Sequence, residues 1–150
     1  MMMVNATATD TAGTPLRRIE VAAGIIWRDG HFLAAQRPPD KIQAGWWEFP
    51  GGKLEGGESP AAALGRELRE ELGITVRQAS FWQIVEHVYA ERGFAVRLHF
   101  FHVTAFEGEP RPAEGQAVCW VSPAEARELG FLPADADILR QLVESGQPAA

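Results

Sequence analysis

The chain is poor in cysteine, in positive charge and in long apolar runs. With one cysteine, Cys119, in 150 residues, no intrachain disulfide can form, and a reducing cytoplasm is the expected location. No run of about 18 apolar residues exists, so neither a membrane-crossing helix nor a membrane partner is expected. Lys plus Arg number 14 against 20 Asp plus Glu, a formal net charge of −6 and a pI near 5.2. That balance offers no overall positive field to hold a nucleic-acid polymer, which excludes that class of partner. What remains, 46% hydrophobic and 23% charged residues over 150 positions, is the composition and length of one soluble globular domain. Met1 to Pro15 lack the charged start and apolar core of a secretory signal. Residues 1–18 are therefore read as a flexible leader, 19–145 as the domain and 146–150 as a flexible C-terminus.

The apolar runs Val21 to Trp27 and Phe32 to Ala35 flank Asp29-Gly30, which predicts a tight hairpin. Pro38 to Gly52 has turn formers without periodicity and reads as a loop. Ser59 as N-cap, Pro60 at the first helical position and Gly73 beyond the last turn bracket a helix whose apolar stripe is Leu64, Leu68 and Leu72. Phe81 to Val88 and Phe94 to Val103 read as a second antiparallel pair, and Ala117 to Val121 as a further short strand. Ser122-Pro123-Ala124-Glu125 is a capping box, and Asp137 to Glu144 carries helical periodicity. This order predicts an α+β or α/β/α layered domain, without deciding which strands pair in parallel. Trp46, Trp82 and Trp120 are expected to pack, Cys119 to be buried and inert, and His31, His87, His99 and His102 show no pairing that suggests zinc or nucleophilic catalysis.

Glu67, Glu70 and Glu71 stand at i, i+3 and i+4 on the predicted helix and so share one face. Like charges about 5 Å apart repel by roughly 3 kcal/mol per pair at an effective dielectric near 20, so the cluster needs compensation. Arg66 can supply part of it. A divalent cation could supply the rest, and hard oxygen donors suit Mg²⁺ or Mn²⁺ rather than zinc. Gly51, Gly52, Gly56 and Gly57 allow close approach of main-chain groups to a ligand beside this helix. A solvated acidic face behind a flexible connector is the plain alternative.

The stretch Gly52-x5-Glu58-x7-Arg66-Glu67-Leu68-x-Glu70-Glu71-x-Gly73-Ile74 resembles the complete Nudix box, with every specified position filled. The likeness extends to the MutT branch through Gln36-Arg37-Pro38, Trp47 to Lys53, Gly108-Glu109-Pro110, Glu114-Gly115-Gln116, Trp120 and Leu132 to Asp135. The resemblance implies an α/β/α sandwich with a mixed sheet, the box forming loop-helix-loop. It implies Mg²⁺-dependent hydrolysis of a nucleoside triphosphate to the monophosphate and pyrophosphate, Mn²⁺ being a possible substitute. Metal ligands carried over are Glu67, Glu70, Glu71, Glu114 and the Gly51 carbonyl, with Glu67 or Glu114 as general base. Arg66 joins the catalytic set as a brace orienting glutamates, and Glu58 is structural. Arg37 and Lys53 would contact phosphate, solvated surface cations being the plain alternative, and Phe49 and Phe100 would stack on the base, ordinary core packing being the alternative for each.

Among substrates, 8-oxo-dGTP comes first, as in sanitation of the nucleotide pool in support of DNA repair. Asp135 stands where the best-known MutT pattern has asparagine. An ionised carboxylate only accepts hydrogen bonds, whereas one protonated by burial also donates. Relatives that prefer cytidine nucleotides share Pro-Ala-Asp here, so CTP, dCTP or 5-methyl-dCTP is the alternative substrate. A silent nucleotide-binding domain is the alternative of another class, and capping of the last helix is the plain role for Asp135.

Overall fold

The computed structural model describes residues 9–10, 12–41 and 43–149. The first eight residues of the expected leader, Thr11, Ile42 of the expected loop and Ala150 lie outside the described residues. Strands β1 (Arg17–Arg28) and β2 (His31–Gln36) form the first hairpin. Asp29 and Gly30 both have positive φ, 51° and 75°, as the mirror-image turn that matches strand twist requires. Pairing starts at Arg17, inside the expected leader, and Thr9 bridges Pro15. At the other end Gly30 N–H donates to the Gln147 side chain at 2.8 Å, so part of the expected flexible C-terminus is anchored.

Strands β3 (Trp47–Glu48) and β4 (Gly51–Lys53) lie within the stretch read as loop. They are too short to show periodicity, and only pairing with β2 and β1 makes them strands. Helix α1 (Pro60–Leu72) has its expected caps: the Ser59 hydroxyl accepts from Ala62 N–H, and Gly73 closes the last turn at φ 71°. Strands β5 (Thr75–Tyr89) and β6 (Phe94–Glu107) are longer than the apolar runs that announce them. Strand β7 (Val118–Val121), the boxed helix α2 (Pro123–Ala126) and helix α3 (Ala136–Ser145) complete the order.

The sheet runs β3-β2-β1-β6-β5, with β4 added to β1 and β7 to β2. It is mixed because β1 and β6 pair in parallel, from Arg17 opposite Phe94 to Ile26 opposite Val103. Along β1, alternate residues serve opposite faces. Ala22 and Ile26 join Leu64, Leu68 and Leu72 beneath α1, while Ala23, Ile25 and Trp27 join Ile138, Leu139 and Leu142 beneath α3. These two cores give the α/β/α sandwich, and the short β4 is drawn against β1 so closely that a Cβ on Gly51 would strike the Ala22 carbonyl oxygen.

Trp82 and Trp120 pack as expected, but Trp46 is 41% exposed, because it lies on the loop side of β3. Cys119 is half-buried. His102 accepts a hydrogen bond from the Trp27 indole at 2.9 Å, and His99 lies 3.3 Å from Glu20. Among the described residues no helix is long and apolar enough to cross a membrane. Because Leu68 is fully buried between α1 and the sheet, Leu68→Ala should lower unfolding free energy by about 2–5 kcal/mol. Urea denaturation measures this, and a loss below about 1 kcal/mol would contradict the packing of α1.

Candidate active site

A cavity of about 750 Å³ is floored by Ile19 and Val21 of β1 and Val96 and Leu98 of β6 and reaches the glutamates of α1. Two polar groups border it. Gly51, Gly52, Glu67, Glu70, Glu71 and Glu114 form one; Arg37, Glu48, Tyr89, Arg92 and Asp135 form the other. They meet at Glu48, whose charge acts on both Glu71 and Asp135.

The first group is organised by Arg66. Its Nε and Nη2 donate to Glu58 at 2.7 and 2.8 Å, its Nη1 to Glu67 at 2.9 Å and Glu70 at 3.3 Å, and its Nη2 to the Lys53 carbonyl at 3.0 Å. The Arg66 guanidinium, helped by the Glu55 N–H, holds the Glu58 carboxyl down to about 2. One cation thus fixes the loop before α1 to the helix itself. Gly52 completes the arrangement, since a Cβ there would fall on the Glu67 carboxylate.

Glu71 is pushed up to about 7, first by burial, then by the charges of Glu48, Glu67 and Glu114, against a single main-chain N–H bond from Gly51. Such concentrated like charge on oxygen donors is what a hard divalent cation relieves, so the donor set fits Mg²⁺. Among the described residues no three ligating side chains converge on one point. The glutamates border the cavity, with Glu70 the exposed one on α1.

In the second group Arg37 Nη1 donates to Glu48 at 2.9 Å. Burial raises Glu48, with Arg37 opposing the shift. Asp135 is 4% exposed and is pushed up to about 8 by burial and then by the Glu48 charge, while Arg37 and the Phe49 N–H oppose this. It directly precedes α3, yet its side chain makes no capping bond, so the capping role is not what its side chain performs.

Several expected site residues take other places. Phe100 is fully buried beneath Phe49, with ring centroids 5.7 Å apart, and does not border the cavity. It cannot stack on a ligand, because its strand position turns it into the core under α3. Phe49 borders the cavity but is 4% exposed and packed among Phe32, Phe100 and Phe131 as part of the core. Lys53 sits exposed at the rim. Arg66 does not border the cavity, so it positions glutamates rather than touching a substrate. Glu48, Tyr89, Arg92 and Gln116, to which the sequence patterns assign no role, also border it. For Glu48 a signal exists: a carboxylate set between Trp47 and Phe49 in an otherwise apolar run.

The NUDIX domain profile matches residues 21–141. The chain is 46% identical over 124 residues to the CTP pyrophosphohydrolase of Escherichia coli K12, covering 83% of this chain and 90% of that protein. It is 35% identical over 128 residues to the 8-oxo-dGTP diphosphatase of the same organism, covering 85% and 98%. Among solved structures, one from work on MutT of Aliivibrio salmonicida and Vibrio cholerae superimposes with a TM-score of 0.75 at 37% identity, covering 86% of this chain and 99% of that one. With the box filled, its glutamates set around one cavity and the profile matched over most of its length, this chain belongs to the NUDIX domain family.

Proposed function

We propose that the protein hydrolyses nucleoside triphosphates to the monophosphate and pyrophosphate, with 8-oxo-dGTP as its substrate. The observation that carries this reading is one cavity bordered both by a carboxylate helix and by the buried Asp135 with the half-buried Arg37–Glu48 ion pair. Its volume, about 750 Å³, falls in the roughly 300–1,000 Å³ range of small-molecule sites. Glu67, Glu70, Glu71, Glu114 and the Gly51 carbonyl would hold Mg²⁺ or Mn²⁺. When bound, such a cation supplies Lewis acidity toward phosphate oxygens and offsets the glutamate charge. The chain's own residues do the rest. Arg66 orients Glu67 and Glu70, and Glu67 or Glu114 accepts the proton of the attacking water. The apolar floor of β1 and β6 keeps solvent from one side of the substrate. Lys53 at the rim and Arg37 beside Glu48 would neutralise phosphate oxygens.

Asp135 reads the base. With its carboxyl at about 8, it is largely protonated at neutral pH and both donates and accepts, as an asparagine amide does. That matches purine O6 and the N7–H of 8-oxoguanine. A second reading, cytidine triphosphates as substrate, is favoured by the Asp135 side chain once ionised, which accepts from an exocyclic amine, and by the 46% identity to a CTP pyrophosphohydrolase.

Pyrophosphate release from 8-oxo-dGTP, dGTP, CTP, dCTP and 5-methyl-dCTP, with and without Mg²⁺, tests both readings. The expected order places 8-oxo-dGTP first in kcat/KM, and release from none of them would leave a binding domain. Glu71→Gln should lower kcat by about 100-fold or more, on the scale of losing one preorganised electrostatic group, with its circular dichroism spectrum intact. Near-normal turnover would remove Glu71 from the metal site. The preference for 8-oxo-dGTP over CTP should fall as pH rises through about 8, and Asp135→Asn should flatten that profile.

Stability carries the same signature. The folded Asp135 pKa, about 8, lies above its ordinary 3.8, so the folded state binds the extra proton and stability declines as pH rises between those values. The drop in melting temperature from pH 5.5 to 8.5 should be smaller in Asp135→Asn by several degrees, Glu71 contributing to the slope in both proteins. An unchanged slope would mean that Asp135 titrates normally.

A further inference from the structure

The segment between β6 and β7 carries Glu114, and it is held at three places. In its middle, Arg111 N–H and Ala113 N–H donate to the Leu72 and Glu71 carbonyls, each at 2.9 Å. At its end the Ala117 carbonyl accepts from Gln36 N–H at 2.9 Å. At its start Glu109 receives both ends of the Arg28 guanidinium, Nη1 at 3.1 Å and Nη2 at 3.0 Å. Arg28 is the last residue of β1, and its guanidinium is not a loose surface group. It lies 4.4 Å from the Trp120 ring centroid in β7 and 5.4 Å from that of Phe106 in β6, two rings stacked on each other at 16°.

The two aromatic contacts hold the guanidinium in place, and its paired hydrogen bonds tie the exposed Glu109 to it. Just before Glu109, Gly108 has φ 96° and passes so close to the end of α1 that a Cβ would come within 3.2 Å of the Gly73 carbonyl oxygen. The segment therefore departs from β6 along one course, across the C-terminal turn of the helix that bears Glu70 and Glu71. Glu114 itself is exposed on a turn whose own bond, Gly115 N–H to the Pro112 carbonyl, is long at 3.3 Å. Its nearest tie to α1 is the Ala113 N–H bond to the Glu71 carbonyl, and no hydrogen bond or ion pair is shown for its own side chain among the described residues.

We infer that Arg28, through Glu109 and braced on Trp120 and Phe106, is a positioning residue that sets Glu114 against Glu71. Arg28 touches neither the cavity nor a reacting atom. The inference rests on the metal-site reading of Glu71 and Glu114 given above. It separates two effects that a single loss of activity would merge: the segment's place and the glutamates' chemistry.

The test uses Arg28→Ala, Arg28→Lys, Glu109→Gln and Glu114→Gln in the full chain. In the metal-free protein, amide hydrogen exchange over residues 108–116 should speed up about tenfold in Arg28→Ala and Glu109→Gln, with the peptide of α1 unchanged; Arg28→Lys should fall between. Mn²⁺ titration followed by electron paramagnetic resonance should show several-fold weaker binding in Arg28→Ala. In the Glu114→Gln background, Arg28→Ala should weaken Mn²⁺ binding no further. Unchanged exchange over 108–116 would overturn the clamp whatever the enzyme does. Equal weakening of Mn²⁺ binding in both backgrounds would overturn the link to Glu114, even with exchange altered. If the unaltered protein binds no Mn²⁺, the metal-site reading falls and the inference falls with it, a result distinct from either of the others.

Discussion

One guanidinium holds the carboxylate site in order. Four glutamates within reach of each other would repel, and the loop before α1 has too many glycines to keep a fixed course. Arg66 answers both difficulties with hydrogen bonds to Glu58, Glu67, Glu70 and the Lys53 carbonyl. Charge on the loop and charge on the helix become partners of the same cation. Glu58, which faces no cavity, is consumed by this role and held ionised at about 2 by it. Glu71 lies beyond the reach of these bonds, and burial among the remaining carboxylates leaves it near 7. Glu58, Glu67 and Glu70 thus share one cation of the protein, whereas Glu71 has only the Gly51 N–H against its burial and its neighbours' charge.

The parts of this arrangement that lie close along the chain are legible in the amino-acid sequence. The caps of α1, the shared face of Glu67, Glu70 and Glu71, the Asp29-Gly30 turn and the capping box of α2 all depend on contacts within a few residues. The parts that are not legible depend on pairing across the chain. The parallel register of β1 and β6 joins Arg17 to Phe94, and no local pattern encodes it. That register also decides that Phe100 faces the core, whereas a strand read in isolation offers two faces and no way to choose between them. Strands β3 and β4 are products of their neighbours. Glu48 gains its role only because β3 sets it beside Arg37 and Asp135.

Asp135 shows how environment can alter what a residue type offers. By sequence it is an acceptor where the related pattern has a group that both donates and accepts. In the fold, burial and the nearby Glu48 carboxylate favour the protonated form, which restores the missing donor. The change of residue therefore alters less than its charge suggests at neutral pH, and the restored property is conditional on pH where an amide would hold it always.

Strand β1 alternates its side chains between the core beneath α1 and the core beneath α3. A single backbone is therefore a wall of both. Neither layer can come apart while leaving the other's wall intact, so the two faces are coupled through the peptide chain itself, with no linker in between to act as a hinge. Heat or denaturant should find one cooperative unit here, and any local opening that precedes global unfolding belongs to segments outside this strand, such as the exposed stretch around Glu114.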